Sequence, residues 1–175
     1  MALAERTPVA GTTRGDAAVV VFTVVSLVWI GALLGVSFLA TPVKFLAPSL
    51  TLPVALDVGR QTFHWYNRME LVIAAITLIA AFVVDRPRFL RGGGTNGLPW
   101  ATLVAAFLLA AVALQTLVLL PRLDARVEMI IQGGMPPPSV LHDLYIAVEA
   151  LKLGALVGAA WLGVVGLRRR AAAEG

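Results

Sequence analysis

The sequence predicts an all-α integral membrane protein, a four-transmembrane-helix bundle with a short interfacial helix between spans one and two. Composition is the first reason, because 59% of the 175 residues are hydrophobic and only 14% are charged. A soluble domain has about 45–50% apolar and about 25% charged residues. The mean hydropathy is correspondingly high, at +0.87. The apolar residues also fall into long uninterrupted segments, so lipid is the expected solvent.

Four segments are candidates for membrane spans, since a helix of about 20 apolar residues crosses the hydrocarbon core. The predicted bounds are 17–40, 65–84, 98–120 and 140–167. Span one contains no charged residue at all. Span two has a shorter apolar run, Leu71 to Val84, and reaches the required length only if it begins at Trp65. Arg68 and Glu70 are then drawn into the edge of the membrane.

The segment between spans one and two contains Pro42, Pro48 and Pro53, which argue against one continuous helix. Residues 54–66 are therefore predicted to form the short interfacial helix, with their aromatic side chains at headgroup level. The motifs "GALLG" (31–35) and "GALVG" (154–158) have the spacing of small residues that allows close helix packing.

Domain organisation and topology follow from the spans and the basic residues. We predict an N-terminal tail (1–16), a single membrane domain (17–167) and a basic C-terminal tail (168–175). The basic residues on the side of the termini are Arg6, Arg14, Arg86, Arg88, Arg91, Arg168, Arg169 and Arg170, and those on the other side are Lys44, Arg60, Arg68, Arg122 and Arg126. For a protein of a bacterial inner (plasma) membrane, this bias predicts both termini to be cytoplasmic.

The net charge of +4 does not indicate a nucleic-acid partner, because the basic residues flank apolar spans and form no patch with interleaved aromatics. The lipid bilayer is the predicted partner. Four helices make a thin wall for a pathway, so a homo-oligomer or a larger membrane complex is also expected. Cysteine is absent, which excludes disulfides and thiol chemistry.

Ionisable and polar side chains gather at the outward end of spans two, three and four. These candidate ligand- or ion-binding residues are His64, Arg68, Glu70, Gln115, His142, Tyr145, Glu149 and Lys152. At about 100° per residue, the four on span four lie within an arc of about 80°. They therefore form one polar stripe along a helix whose opposite face is apolar.

Three interpretations of this stripe are open. Charges near hydrocarbon must pair or reach water. Glu149 and Lys152 are spaced to pair with each other, and Arg68 with Glu149 is one economical cross-helix pair. The charges then lock span two to span four. Alternatively, they line an outward polar pocket, or the long side chains extend to the interface without specific partners.

The only two histidines, His64 and His142, both fall at this end. A b-type haem held between them, or a metal site that also uses Glu70 and Glu149, has suitable ligand types. No ligand spacing such as HExxH supports a metal. The cofactor is therefore unknown from sequence, with haem b as one hypothesis.

The stretches "WIGALLGVSFLATPVKF", "RQTFHWYNRMELV", "LVLLPRLDARVE" and "LHDLYIAVEALKLGAL" occur in an order that resembles the bacterial domain of unknown function 4149, which is related to eukaryotic transmembrane protein 205. The matching residues are Trp29, Gly31, Gly35, Pro42, Phe45, Phe63, Tyr66, Leu141 and His142. The resemblance covers nearly the whole chain and implies a four-helix membrane protein. It implies no established chemistry, although the eukaryotic relatives are linked with tolerance of drugs and metal compounds.

We therefore predict a non-enzymatic integral membrane protein with an outward-facing polar pocket for handling small molecules or ions, and transport is the implied activity. One alternative is a membrane redox protein that binds haem or metal through His64 and His142. Another is an accessory subunit of a membrane complex, in which the charges serve assembly. No enzymatic signature is found, since "RGGGTNG" lacks the lysine of a phosphate-binding loop.

Overall fold

The computed structural model describes residues 11–90 and 98–174, and within these ranges all regular structure is helical. The α-helices are α1 (Gly11–Leu33), α2 (Thr41–Val43), α3 (Leu52–Leu90), α4 (Trp100–Leu114), α5 (Leu120–Ile131) and α6 (Leu141–Glu174). A π-helical segment (Leu34–Ala40) joins α1 to α2, and a second (Gln115–Leu119) joins α4 to α5.

These elements make four helices long and apolar enough to cross a membrane: Gly15–Leu46, Leu52–Arg86, Trp100–Ile131 and Leu141–Arg169. The prediction of an all-α, four-span bundle is confirmed. Large apolar side chains such as Val28, Val72 and Trp161 are exposed on the outer surface of the bundle. A bilayer is the environment in which such a surface is stable.

The predicted interfacial helix over 54–66 is not a separate element, because α3 runs without a break from Leu52 to Leu90. Pro53 lies in the first turn of α3, where its missing N–H costs nothing. The chain reverses just before this helix, since Ala47 is extended and precedes Pro48. Prolines therefore end one membrane helix and begin the next, but they do not divide the second.

Each π-helical segment ends two residues before a proline, Pro42 in the first case and Pro121 in the second. A proline inside a helix removes one N–H donor and clashes with the carbonyl four residues earlier. Wider π turns are one way in which a helix accommodates such a break. The π-helical turns thus keep both helices continuous past their prolines and shift the faces that follow.

The core is formed where α1 packs against α3 and α6, while α3 also packs against α4. Trp29, Leu33, Leu108 and Leu156 are fully buried in its centre. α1 approaches α6 closely at Gly163, where an added Cβ would collide with the Thr23 side chain. Only glycine fits at position 163 in this packing.

The expectation that "GALLG" and "GALVG" mediate helix packing is wrong within this chain. A Cβ added at Gly31, Gly35, Gly154 or Gly158 would meet no atom within 4 Å. The spacing of small residues is correct, but the glycines of both motifs lie away from the helix contacts, whereas Leu33 and Leu156 within them face the core. Helix orientation is set by the larger core side chains, which sequence spacing does not reveal.

Some predicted features lie outside the described part of the chain. These are residues 1–10 of the N-terminal tail, Arg91, and the side chains of Arg14, Arg88 and Arg170. The predicted C-terminal tail begins as a continuation of α6.

Asp85 anchors the start of α4 at the opposite end of the bundle from Glu149. Its carboxylate accepts hydrogen bonds from the Thr102 backbone N–H, at 2.8 Å, and from the Thr102 hydroxyl, at 2.9 Å. This carboxylate satisfies one of the free N–H groups of the first turn. We expect Asp85→Ala to lower the free energy of unfolding by ~1 kcal/mol, as for the loss of an N-cap. Asp85→Asn keeps an acceptor oxygen and should lose less, which thermal unfolding in detergent will measure.

Candidate functional site

Lys152 lies between two glutamates in the interior of the bundle. Its Nζ is 2.6 Å from Glu70 Oε1 on α3 and 2.9 Å from Glu149 Oε1 on α6. Lys152 and Glu70 are 0% exposed and Glu149 is 2% exposed. The predicted pairing of Glu149 with Lys152 is therefore observed. The bridge from Lys152 to Glu70 also ties α6 to α3, as the lock interpretation requires.

Both π-helical segments contribute a donor to Glu149. Gln115 Nε2, at the start of the second segment, donates to Glu149 Oε1 at 2.7 Å. Ser37 Oγ, within the first, donates to Glu149 Oε2 at 3.2 Å. On the other side of the cluster, Trp29 Nε1 donates to Glu70 Oε1 at 2.8 Å. We call Glu70, Glu149, Lys152, Trp29, Gln115 and Ser37 the buried network.

Several buried polar atoms around this network have no hydrogen-bond partner among the described residues. They are the hydroxyls of Tyr66 and Tyr145, Asn67 Nδ2, Glu70 Oε2 and Gln115 Oε1. Both hydroxyls interact electrostatically with Glu70 and Glu149, although neither forms a hydrogen bond of good geometry. Buried polar groups are normally paired with protein or ordered water. The network can therefore take up a proton or form hydrogen bonds to a bound molecule.

A cavity of about 610 Å³ adjoins the network at the end where α6 begins. Its inner wall includes Tyr145 and Glu149. The apolar face of α5 forms another wall, made by Leu120, Leu123, Val127 and Ile130 at helical spacing. Phe63 and Tyr145 pack edge to face beside it, with ring centroids 5.2 Å apart. The size is typical of a small-molecule site.

Lys44 lines this cavity, together with Phe45, Gly59 and Phe63. Its Nζ lies 5.1 Å from the centroid of the Phe45 ring and 6.0 Å from that of Phe63, within reach of cation–π attraction. A Cβ on Gly59 would strike the Nζ, so glycine at position 59 makes room for the ammonium. Within the described residues, Lys44 has no carboxylate partner.

Other charges of the cavity wall are already compensated. Arg60 pairs with Asp57 at 2.7 Å and with Glu128 at 2.8 Å. Asp124 contacts His64 Nε2 at 2.7 Å. Among the described cavity residues, Lys44 and Arg126 are the basic groups left without an ion pair, so these two are available to pair with an anion.

The structure distributes the predicted site residues over three places: the buried network, the large cavity and a shallow surface depression. Glu70, Gln115, Glu149 and Lys152 come together in the buried network. Tyr145 borders both the network and the cavity, and the exposed His142 lies on the cavity wall.

The predicted Arg68–Glu149 pair is wrong. Arg68 is exposed, and its guanidinium carbon lies 5.0 Å from the centroid of the Trp65 ring. Lys152 occupies the position next to Glu149 that the hypothesis gave to Arg68, because it is already on α6 and faces inward. His64 and Arg68 instead line a shallow surface depression with Asp124.

The two histidines line different recesses, since His142 borders the large cavity and His64 the shallow depression. The part of the chain that the structure describes contains no group of three or more His, Asp or Glu residues placed to hold a metal ion. The haem and metal hypotheses gain no support from this arrangement.

Sequence reasoning missed Trp29, Ser37 and Lys44 as site residues. Trp29 and Ser37 lie in span one, which contains no charged residue and therefore has the sequence of a lipid-facing helix. An indole N–H in such a span needs an acceptor, and this was the available signal for Trp29. No comparable signal marks Ser37, because its contact depends on the π-helical segment.

Four apolar helices around an enclosed charged network define a multi-pass membrane protein. The chain belongs to the family of the domain of unknown function DUF4149, which matches residues 24–129. The match includes Trp29, Glu70 and Gln115 and stops before α6. No curated protein and no solved structure matches the chain. The relation to transmembrane protein 205 stays a prediction.

Proposed function

We propose that this protein binds a small amphipathic anion in the cavity beside the buried network. The observation that carries the proposal is the Lys44 ammonium, which has no ion-pair partner among the described residues and lines a largely apolar cavity of about 610 Å³. An acidic head group would pair with Lys44, and an apolar body would pack along α5. Arg126 on the same wall adds to the attraction for an anion.

The proposal deepens the predicted handling of small molecules or ions in two respects. It assigns a negative charge to the ligand, and it replaces the polar pocket with a largely apolar cavity that has charged residues on its wall. The basic-residue bias supports an orientation in which this cavity opens on the outer side of a bacterial inner membrane, with both termini cytoplasmic. A homo-oligomer or a larger complex stays a prediction, as does transport.

A photo-crosslinkable long-chain fatty acid tests this function directly. With the protein in lipid nanodiscs, we expect saturable labelling on peptides from α5 and from the start of α6. Lys44→Gln should weaken the apparent affinity about tenfold, because a hydrogen bond to a charged group contributes about 1.5 kcal/mol or more. The matched fatty alcohol should label more weakly and should be insensitive to Lys44→Gln.

Arg122→Gln is the control, since Arg122 is exposed and does not line the cavity. It removes a positive charge from the same end of the bundle and should leave labelling unchanged. Equal losses in both variants would mean that the fatty acid responds only to surface charge. Labelling by the alcohol as strong as by the acid would also contradict an anion site.

A further inference from the structure

The buried network has an odd charge balance. It contains two carboxyl groups and one ammonium, each at most 2% exposed. With all three ionised, the network would carry one uncompensated negative charge inside a membrane-spanning bundle. Burial of an unpaired charge is strongly unfavourable in such a medium. One added proton removes the imbalance and leaves a single ion pair.

Hydrogen bonding distinguishes the two carboxyls. Glu149 accepts from three donors, Lys152 and Gln115 at Oε1 and Ser37 at Oε2. Donors at both oxygens are what an ionised carboxylate requires. Glu70 accepts from Trp29 and Lys152, but both donate to Oε1. Its Oε2 is buried and has no donor among the described residues.

This asymmetry is the pattern of a neutral carboxylic acid at Glu70. In that form Oε1 is the carbonyl oxygen and accepts two hydrogen bonds, while Oε2 carries a proton and needs an acceptor instead of a donor. The buried Tyr66 hydroxyl, which has no partner in the described structure, interacts with Glu70 and offers a lone pair.

We propose that Glu70 is a proton-binding site, with Oε2 carrying an exchangeable proton beside a Lys152–Glu149 ion pair. The groups that interact with Glu70 are Trp29 from the first membrane helix, Tyr66 from α3, and Tyr145, Glu149 and Lys152 from α6, and the polar groups that surround the network further out are Ser37, Asn67 and Gln115. Among these groups Glu149 is the other carboxyl, but donors already occupy both of its oxygens.

A route for exchange lies on the cavity side. Tyr145 and Glu149 border the cavity and also the network, and Glu149 shares Lys152 with Glu70, so exchange of the Glu70 proton with the cavity would run past these two side chains. Uptake forms the Oε2–H bond and makes the network neutral, whereas release leaves a carboxylate and a net charge of −1. This proton site does not require the amphipathic anion, so the failure of either proposal would leave the other intact.

Infrared spectroscopy of the protein in lipid vesicles at neutral pH tests the site. We expect the C=O stretch of one protonated carboxylic acid, identified as glutamate by ¹³C labelling, which disappears in Glu70→Gln. Glu128→Gln removes an exposed glutamate and should leave the band in place. Glu149→Gln should also abolish the band, because Glu70 then becomes the sole counter-ion of Lys152 and ionises.

Two tyrosine variants fix the position of the proton and alter no charge. Tyr66→Phe removes the acceptor for Oε2–H and should move the band to higher frequency, whereas Tyr145→Phe should leave it unchanged. A wild-type protein without a protonated-glutamate band would overturn the proposal. A band that survives Glu70→Gln would belong to a carboxyl outside the network, and a band that shifts with Tyr145→Phe only would place the proton on Glu149; either result would overturn the proposal equally.

Discussion

Replacement of Lys152 by methionine is expected to lower the melting temperature of the protein sharply. The side chain is 0% exposed and is the shared partner of Glu70 and Glu149. Its removal leaves Glu149 ionised without a counter-ion, and breaking a buried pair from one side costs about 3–5 kcal/mol. Thermal unfolding in detergent, followed by the fraction of monodisperse protein that remains after heating, measures the loss.

Second substitutions separate the roles of the two glutamates. Lys152→Met with Glu149→Gln leaves no formal charge in the network, because Glu70 holds its proton, so most of the stability should return. Lys152→Met with Glu70→Gln retains the ionised Glu149 and should recover much less. Equal recovery in both double variants would contradict the assignment of different protonation states. A single variant as stable as the wild type would show that the network does not lock α6 to α3.

Gly163→Ala is the second substitution with a large expected effect. A Cβ at this position would overlap the Thr23 hydroxyl and lie 3.2 Å from its Cβ, so α1 and α6 must separate or Thr23 must move. Thr23 is held in place by a 2.7 Å hydrogen bond to the Val19 carbonyl. Overpacking of this kind costs about 1–3 kcal/mol, more than the gain in helix propensity from glycine to alanine. The same heating experiment detects the loss.

Gly158→Ala is the matched control on the same helix, because its Cβ would meet no atom within 4 Å. It should be neutral or slightly stabilising. Thr23→Ala removes the atoms that a Cβ at 163 would strike, apart from Cβ itself. It should therefore restore much of the stability lost in Gly163→Ala. If Gly158→Ala were as damaging as Gly163→Ala, the cause would be a general intolerance of alanine in α6.

The four-span architecture could be predicted because the ability of a segment to cross the bilayer depends only on the residues of that segment. Length and apolar content decide whether a helix fits the bilayer, and both are local. The same holds for the inward stripe of Tyr145, Glu149 and Lys152, since residues on one helix have a fixed angular relation. The end of span one was harder to place, because Pro42 does not end the helical path there.

Pairing between helices could not be predicted in the same way. Arg68 and Lys152 are both basic and near the same end, but only one of them faces the core. The rotation of each helix about its axis decides this, and it depends on how Trp29, Leu108 and Leu156 pack together. Trp29 was missed for that reason, because the acceptor of its indole N–H, Glu70, is identified only when α1 and α3 are placed side by side.

The two π-helical segments have a consequence for how variants of this chain are interpreted. A π turn holds one more residue than an α turn, so residues before and after it are out of phase by about one position, or about 100°. Ser37 and Gln115 lie in these segments, and both donate hydrogen bonds to Glu149. Deletion of one residue from 115–119 together with Pro121→Ala should preserve the downstream helix phase, whereas either change alone would misalign it. The residue at position 42 or 121 therefore helps to determine the rotational phase of the residues that follow it in the same helix.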